Sequence, residues 1–418
     1  MIIQFPSGQI SKLGIVGAGA MGSSIAVAIS KLGLPIKLID KQPAALEKGL
    51  QRIDNMFAAL ERKSEGRKDL NSTSAASLDT KHRRLLIQST DKFEDFCNLD
   101  LVIEAVNEDI EVKKSIFQIL DRICHKKTIF ASNTSSFSIT QLASFTNRSN
   151  QVLGMHFFNP AHIMSLVEII PGLNTTPEII ATAIDFVKSL DKLPVKVEEC
   201  ASFLVNRLLG RYINEAIWIL QSGLADVKTI DDSACQMLMP IGPLQLRDMN
   251  GLDIGLSVAR FNYEEYGERF RPAPLLEIMV ERELLGKKTG AGFYTYVEGE
   301  RKPQNINPQL QELISLAENE KVASRVNLPP FDPMQLFLPM INEAFLLLQE
   351  KIVSPQDIDP ALKAGLGMKI GLLEYAFDYG LKNCLSKIEI LNKAYGERFR
   401  PAPLLKRYVW ANKTSAVI

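Results

Sequence analysis

The sequence predicts an α/β protein: a doubly wound, mostly parallel sheet followed by two all-α helical domains that are tandem repeats. Three observations predict this. Eight short β-rich apolar runs alternate with helix-length segments over the first two hundred residues. A glycine-rich turn lies between the first run and the first helical segment. An eleven-residue string, YGERFRPAPLL, occurs twice, at 266–276 and 395–405.

The N-terminus, MIIQFPSGQISK, leads straight into the first strand and carries no charged-then-apolar signal pattern. The runs are 13–19, 35–40, 85–90, 99–106, 128–134, 151–158, 166–172 and 193–199. Runs that are apolar throughout suit strands buried on both faces, as in sheets covered by crossover helices. Segment 42–84 is too long for an ordinary crossover and rich in Lys, Arg and Glu, so it reads as an extended helical pair with a disordered tip at 70–80. From about residue 201 the pattern becomes helical, with helices expected at 202–222, 226–238, 252–264 and 273–285, punctuated by IGP at 241–243 and RPAP at 271–274. The expected division is a nucleotide-binding domain 1–200, a helical domain 201–297, a linker and helix 298–330, and a second helical copy 331–418.

The repeat extends beyond the long string. INEA occurs at 213–216 and 341–344, and Ile-Asp pairs occur at 230–231 and 358–359, both offset by 128, whereas YGERFRPAPLL is offset by 129. One residue has therefore been inserted between them. Aligning the copies puts Met334 at the position of Asn206 and Gln335 at that of Arg207, and KKTGAGFY (287–294) has no counterpart, so the second copy reads as structural.

Composition excludes several classes. The 418 residues are 46% hydrophobic and 23% charged, with 48 basic and 48 acidic side chains in balance, which gives no sign of a nucleic-acid or membrane-surface binder. No apolar stretch reaches the roughly 18–20 residues needed to span a bilayer. Five scattered cysteines without a CxxC pair suit a reduced, cytoplasmic protein. Metal-ligand spacing is absent, so no metal is expected. There are four histidines, which narrows any imidazole chemistry to His82, His125, His156 and His162. His162 reads as a surface residue.

KLGIVGAGAMGSSIA supplies Gly17, Gly19 and Gly22 in GxGxxG spacing, with Ala20 and Met21 completing the turn. The motif follows a strand, opens a helix and is followed by a second strand ending at Asp40, the context that makes it a Rossmann-type dinucleotide signature. The helix N-terminus offers N–H groups and a positive dipole to a pyrophosphate. A carboxylate at Asp40 suits the ribose hydroxyls and repels the 2′-phosphate of NADP, so the cofactor expected is NAD.

His156 ends one predicted strand and Glu168, twelve residues later, lies on the next, within reach of its ring. A histidine so placed can take a hydroxyl proton near neutral pH, and a carboxylate partner fixes its tautomer. Four segments, VIEAVNEDIEVKK (102–114), ASNTSSFSI (131–139), GMHFFNPAHIMSLVEII (154–170) and FLVNRLL (203–209), together resemble the L-3-hydroxyacyl-CoA dehydrogenase family of fatty-acid β-oxidation over residues 12–296. The resemblance implies oxidation of the 3-hydroxyl of an acyl-CoA thioester with NAD as acceptor. It implies His156 as general base with Glu168 as its partner, and Ser135 and Asn206 as the groups that hold the substrate oxygen. It places Glu108, Lys113, Asn159 and Lys288 around the nicotinamide and its ribose, and Lys63 against a CoA phosphate.

Related readings stay open: a 3-hydroxybutyryl-CoA dehydrogenase, an L-gulonate 3-dehydrogenase of the lambda-crystallin type, or a non-catalytic NAD-binding structural protein. The second helical copy resembles the extra domain that ends the multifunctional β-oxidation proteins, while no hydratase segment precedes the dehydrogenase part, so a stand-alone enzyme is expected. It would be either a homodimer or a monomer whose helical repeats form an internal pseudo-dimer. One departure stands out: Ala201 and Ser202 replace the Pro-Gly that the family usually carries before FxVNR. If that glycine serves a positive φ, Ser202 is strained there.

Overall fold

A computed structural model describes residues 3–5, 8–65, 80–300, 302–318 and 329–415. The chain divides into two compact units, Met1–Cys200 and Ala201–Ile418.

The first unit holds a hairpin of β1 (Ile3–Phe5) and β2 (Gly8–Ile10), which the sequence reading does not anticipate. The eight expected strands follow: β3 (Leu13–Val16), β4 (Ile36–Ile39), β5 (Ile87–Thr90), β6 (Leu101–Glu104), β7 (Ile129–Ser132), β8 (Val152–Phe157), β9 (Leu166–Pro171) and β10 (Leu193–Lys196). They form one sheet in the order β10-β9-β8-β7-β6-β3-β4-β5. All pairings are parallel except β8 with β9. Strands β3, β6, β7, β8 and β9 are buried along their whole length, which explains why they lack polar alternation.

The helices of this unit are α1 (Ala20–Ile29), α2 (Pro43–Glu65), α3 (Thr80–Leu85), α4 (Ile110–Ile123), α5 (Ile139–Ser144) and α6 (Pro177–Ser189). The expected helical pair over 42–84 consists of the 23-residue α2 and the six-residue α3. Its expected tip falls almost wholly on 66–79, outside the described residues. From β3 the chain winds to β4 and β5, then crosses back to β6, so the order reverses between β3 and β6. Open α/β sheets bind ligands above the strand C-termini at such a reversal.

The second unit contains α7 (Val205–Gln221), α8 (Val227–Met237), α9 (Pro243–Asn250), α10 (Leu252–Tyr266), α11 (Pro274–Glu281) and α12 (Leu310–Glu318). It continues with α13 (Leu338–Gln349), α14 (Pro355–Leu366), α15 (Leu372–Tyr379), α16 (Leu381–Tyr395) and α17 (Pro403–Trp410). Helix α9 corrects the reading of IGP as punctuation: Pro243 takes the first helical position, where a missing N–H costs nothing. The helix expected from 202 starts at 205, because Ser202 and Phe203 both have positive φ, 60° and 52°.

The two copies correspond element by element, α7 to α13, α8 to α14, α9 to α15, α10 to α16 and α11 to α17. Their polar supports repeat too. Asn214 donates to Arg271 O and accepts from Ala273 N–H, as Asn342 donates to Arg400 O and accepts from Ala402 N–H. Asp231 accepts from the N–H groups of Leu244 and Gln245 that open α9, as Asp359 does from Leu373 and Glu374 in α15. The inserted residue is absorbed at the end of α14, which has 12 residues against 11 in α8 and is closed by left-handed Gly367.

The copies also hold each other reciprocally. Arg207 reaches Glu343 at 2.8 Å, while Gln335, at the equivalent place in the second copy, donates to Glu215 at 2.9 Å. Arg269 pairs with Glu343 at 3.1 Å and its counterpart Arg398 pairs with Glu215 at 3.2 Å. Tyr212 stacks on Phe337 with ring centres 5.3 Å apart. Each acid of INEA thus receives a cation from the opposite copy, the pattern of a two-fold interface.

Candidate active site

The nucleotide turn forms where β3 ends. Gly17 has φ of 105°, and a Cβ there would lie 2.5 Å from Ala105 O, so only glycine fits against the end of β6. A Cβ on Gly22 would lie 1.9 Å from Gly17 O, so the missing side chain lets α1 approach β3. At Gly19 a Cβ would meet nothing within 4 Å, and no side chain caps the N-terminus of α1, whose first residue Ala20 is exposed. This open, donor-rich helix end fits a pyrophosphate. Met21 is half-buried beside it. Asp40, just past β4, accepts from Ala18 N–H at 2.9 Å and from Gln42 N–H at 3.0 Å, so it braces the turn. The residues present fit NAD.

At the same edge of the sheet, the antiparallel register of β8 and β9 sets His156 directly opposite Glu168. Nδ1 of His156 lies 2.6 Å from Glu168 Oε2, with the two residues 6% and 0% exposed. Bonding at Nδ1 leaves Nε2 as the nitrogen that can exchange a proton with a ligand. Phe158 is half-buried and packs on the imidazole with ring centres 4.7 Å apart.

Ser135 follows β7 and belongs to a chain of polar groups that spacing alone does not reveal. Buried Glu104, the last residue of β6, accepts from Ser132 Oγ at 2.6 Å, Val106 N–H at 2.8 Å and Lys113 Nζ at 2.7 Å. Lys113, 1% exposed on α4, also reaches Glu108 at 3.3 Å. Glu108 accepts in turn from Thr134 Oγ1 and from Ser135 N–H at 2.8 Å. Lys113 is therefore turned inward between two carboxylates, and Glu108 positions the Ser135 loop. Glu104 is the residue that sequence reasoning missed; its signal was a carboxylate ending an otherwise apolar strand.

Asn159 is exposed, before cis-Pro160. His162 corrects its surface assignment: it is half-buried, with Nδ1 2.8 Å from Ser24 Oγ on α1. Lys63 lies on α2, but its side chain is outside the described residues. In the second unit, Asn206 is half-buried on the first turn of α7. Lys288 forms an ion pair with Asp253 at 2.5 Å. Met334, in Asn206's place in the second copy, is 2% exposed. Among the described residues no group of three or more His, Cys, Asp or Glu could hold a metal, and no helix is long and apolar enough to cross a membrane.

Comparison with known proteins adds the decisive observation. Residues 12–200 match the NAD-binding domain of 3-hydroxyacyl-CoA dehydrogenase, and residues 203–296 and 334–416 match its C-terminal domain. The chain belongs to the 3-hydroxyacyl-CoA dehydrogenase family. It is an oxidoreductase of that family and uses NAD. A 3-hydroxybutyryl-CoA dehydrogenase of Clostridioides difficile is 40% identical over 287 residues, covering 68% of this chain and 99% of the relative. The fatty acid oxidation complex subunit alpha of Shewanella amazonensis is 32% identical over 416 residues, 97% of this chain. The chain spans 56% of that relative's length. A solved 3-hydroxybutyryl-CoA dehydrogenase from Escherichia coli superposes with a TM-score of 0.82 at 26% identity, covering 96% of this chain and 98% of that one.

Proposed function

We propose that the protein oxidises (3S)-3-hydroxyacyl-CoA to 3-oxoacyl-CoA in fatty-acid β-oxidation, with His156 as general base. The observation that carries this reading is the buried His156–Glu168 pair at the same edge of the sheet as the nucleotide turn. Held at the turn of Gly17, Gly19 and Gly22 and at Asp40, NAD would supply the acceptor for the hydride on C3 of the substrate. Nε2 of His156 takes the proton from the 3-hydroxyl, and Glu168 holds the ring through Nδ1 and stabilises the imidazolium. Ser135, fixed by Glu108, holds the substrate oxygen as it becomes a carbonyl, a role the family resemblance also gives to Asn206. Glu108, Lys113 and Asn159 serve the nicotinamide end of the cofactor, Lys113 through its hold on Glu108, a role the family resemblance also gives to Lys288. Lys63 serves a CoA phosphate.

His156→Gln should lower turnover by about 10²–10⁴ while leaving NADH affinity nearly unchanged. An unchanged rate removes His156 from the mechanism. NADH oxidation followed with acetoacetyl-CoA, a longer 3-oxoacyl-CoA and, in the reverse direction, L-gulonate separates the substrate readings. The Clostridioides difficile relative favours short chains as the second reading. The reciprocal ties between the helical copies support a monomer with an internal pseudo-dimer over a homodimer. The cytoplasm remains the proposed compartment.

A further inference from the structure

Helices α7, α9 and α10 of the first helical copy line a cavity of about 30 Å³, room for one body of roughly water size or slightly more. Most of its wall is apolar, including Ile213, Ile217, Val258 and Phe270, and no acidic residue lines it. Three polar side chains do. Asn214 is committed to Arg271 O and Ala273 N–H. Asn262, fully buried, accepts from Ser202 Oγ at 2.7 Å through Oδ1, while its Nδ2 has no partner. Nε of Arg247 is likewise buried without a partner. The neighbouring carboxylate, Asp248, is committed to Phe293 N–H, Tyr294 N–H and Tyr296 OH. Two donor atoms at this space, one of them on a half-buried cationic side chain, are thus buried without a partner, a costly arrangement unless something fills it.

The space for the guanidinium is built in. A Cβ on Gly255 would lie 2.0 Å from Nη1 of Arg247 and 2.5 Å from its Cζ, so only glycine at 255 admits that side chain. The second copy supplies an internal control. Where the first has Gly210, Arg247, Gly255 and Asn262, it has Leu338, Ala376, Cys384 and Leu391, all buried. The same helices thus close the same space with apolar side chains, and the fold itself does not call for the donors.

We propose that this cavity is a binding site for a monovalent inorganic anion of chloride size. A space of about 30 Å³ suits a small inorganic anion. A single spherical anion accepts from Arg247 Nε and Asn262 Nδ2 together and adds negative charge beside the half-buried guanidinium. By fixing Asn262 it also fixes Ser202, whose left-handed backbone opens the segment that carries Asn206.

The test is thermal unfolding of the full chain in sodium chloride, bromide or gluconate at constant ionic strength, joined to anomalous diffraction from bromide-soaked crystals. Chloride and bromide should raise Tm by about 2 °C at ten times the dissociation constant, rising with the logarithm of concentration. Gluconate should not, and one bromide peak should lie between Arg247 Nε and Asn262 Nδ2. The double variant R247A/G255C, which installs the second copy's residues, should lose both the peak and the shift. Absence of the peak in the wild-type crystals, with water alone in the cavity, overturns the proposal. An equal rise in gluconate, or in the double variant, overturns it as well.

Discussion

At the scale of single residues, the first unit turns on one buried carboxylate. Glu104 holds Lys113, Lys113 holds Glu108, and Glu108 holds the loop of Ser135. Glu104→Gln removes one partner of a buried ion pair, and we expect a loss of about 3–5 kcal/mol in urea unfolding, with weaker NADH binding. Ser202 gives a second test. Its φ of 60° costs about 1–2 kcal/mol, and its hydroxyl satisfies buried Asn262. Ser202→Ala keeps the strain and strands that oxygen, so it should destabilise by about 1–3 kcal/mol. Ser202→Gly should be the milder of the two, because it removes the strain. His156, Glu168 and the glycines were legible because each belongs to a local pattern with a known chemical use. Glu104 was not, since its partnership with Lys113 depends on how α4 crosses β6, which nine residues of spacing do not state.

At the scale of elements, helix α9 and the 293–296 segment rest on two buried acids. Asp231 and Asp248 are both pushed up to about 6 from an ordinary value of 3.8, first by burial, with backbone and tyrosine hydrogen bonds opposing. A raised carboxylate pKa means that the folded state binds more protons between about pH 4 and 6, so stability falls as pH rises through that window. The cost at neutral pH is on the order of 3 kcal/mol per group. Asp248→Asn should flatten this part of the pH profile of unfolding, and a slope that is unchanged would show the acid is not titrating there. The strands were readable because burial on both faces makes them apolar throughout. Helix α9 was not, because Ile-Gly-Pro ends helices as readily as it starts them, and the acceptor that selects a start, Asp231, lies eleven residues upstream of Gly242.

At the scale of the whole molecule, the repeat was plain from identity of sequence, but what the copies do for each other was not. The residues that join them, Arg207, Glu215, Arg269, Gln335, Glu343 and Arg398, read as ordinary polar positions until the packing of α7 on α13 brings them together. Deleting 331–418 removes the partners of buried Arg207 and Glu215 and uncovers Tyr212. Sedimentation velocity should show the truncated chain self-associating or aggregating. A truncated chain that stays monomeric and fully active would mean that the second copy is dispensable.

That reciprocal arrangement has a genetic consequence. In a homodimer every substitution appears twice, once on each side of the axis, so no face can change without its twin changing too. Here the two halves are written at separate places in one chain, and each can vary by itself. Met334 could replace the counterpart of Asn206, and Ala376 that of Arg247, while the first copy kept both. The duplication lets one half change while the other keeps its residues.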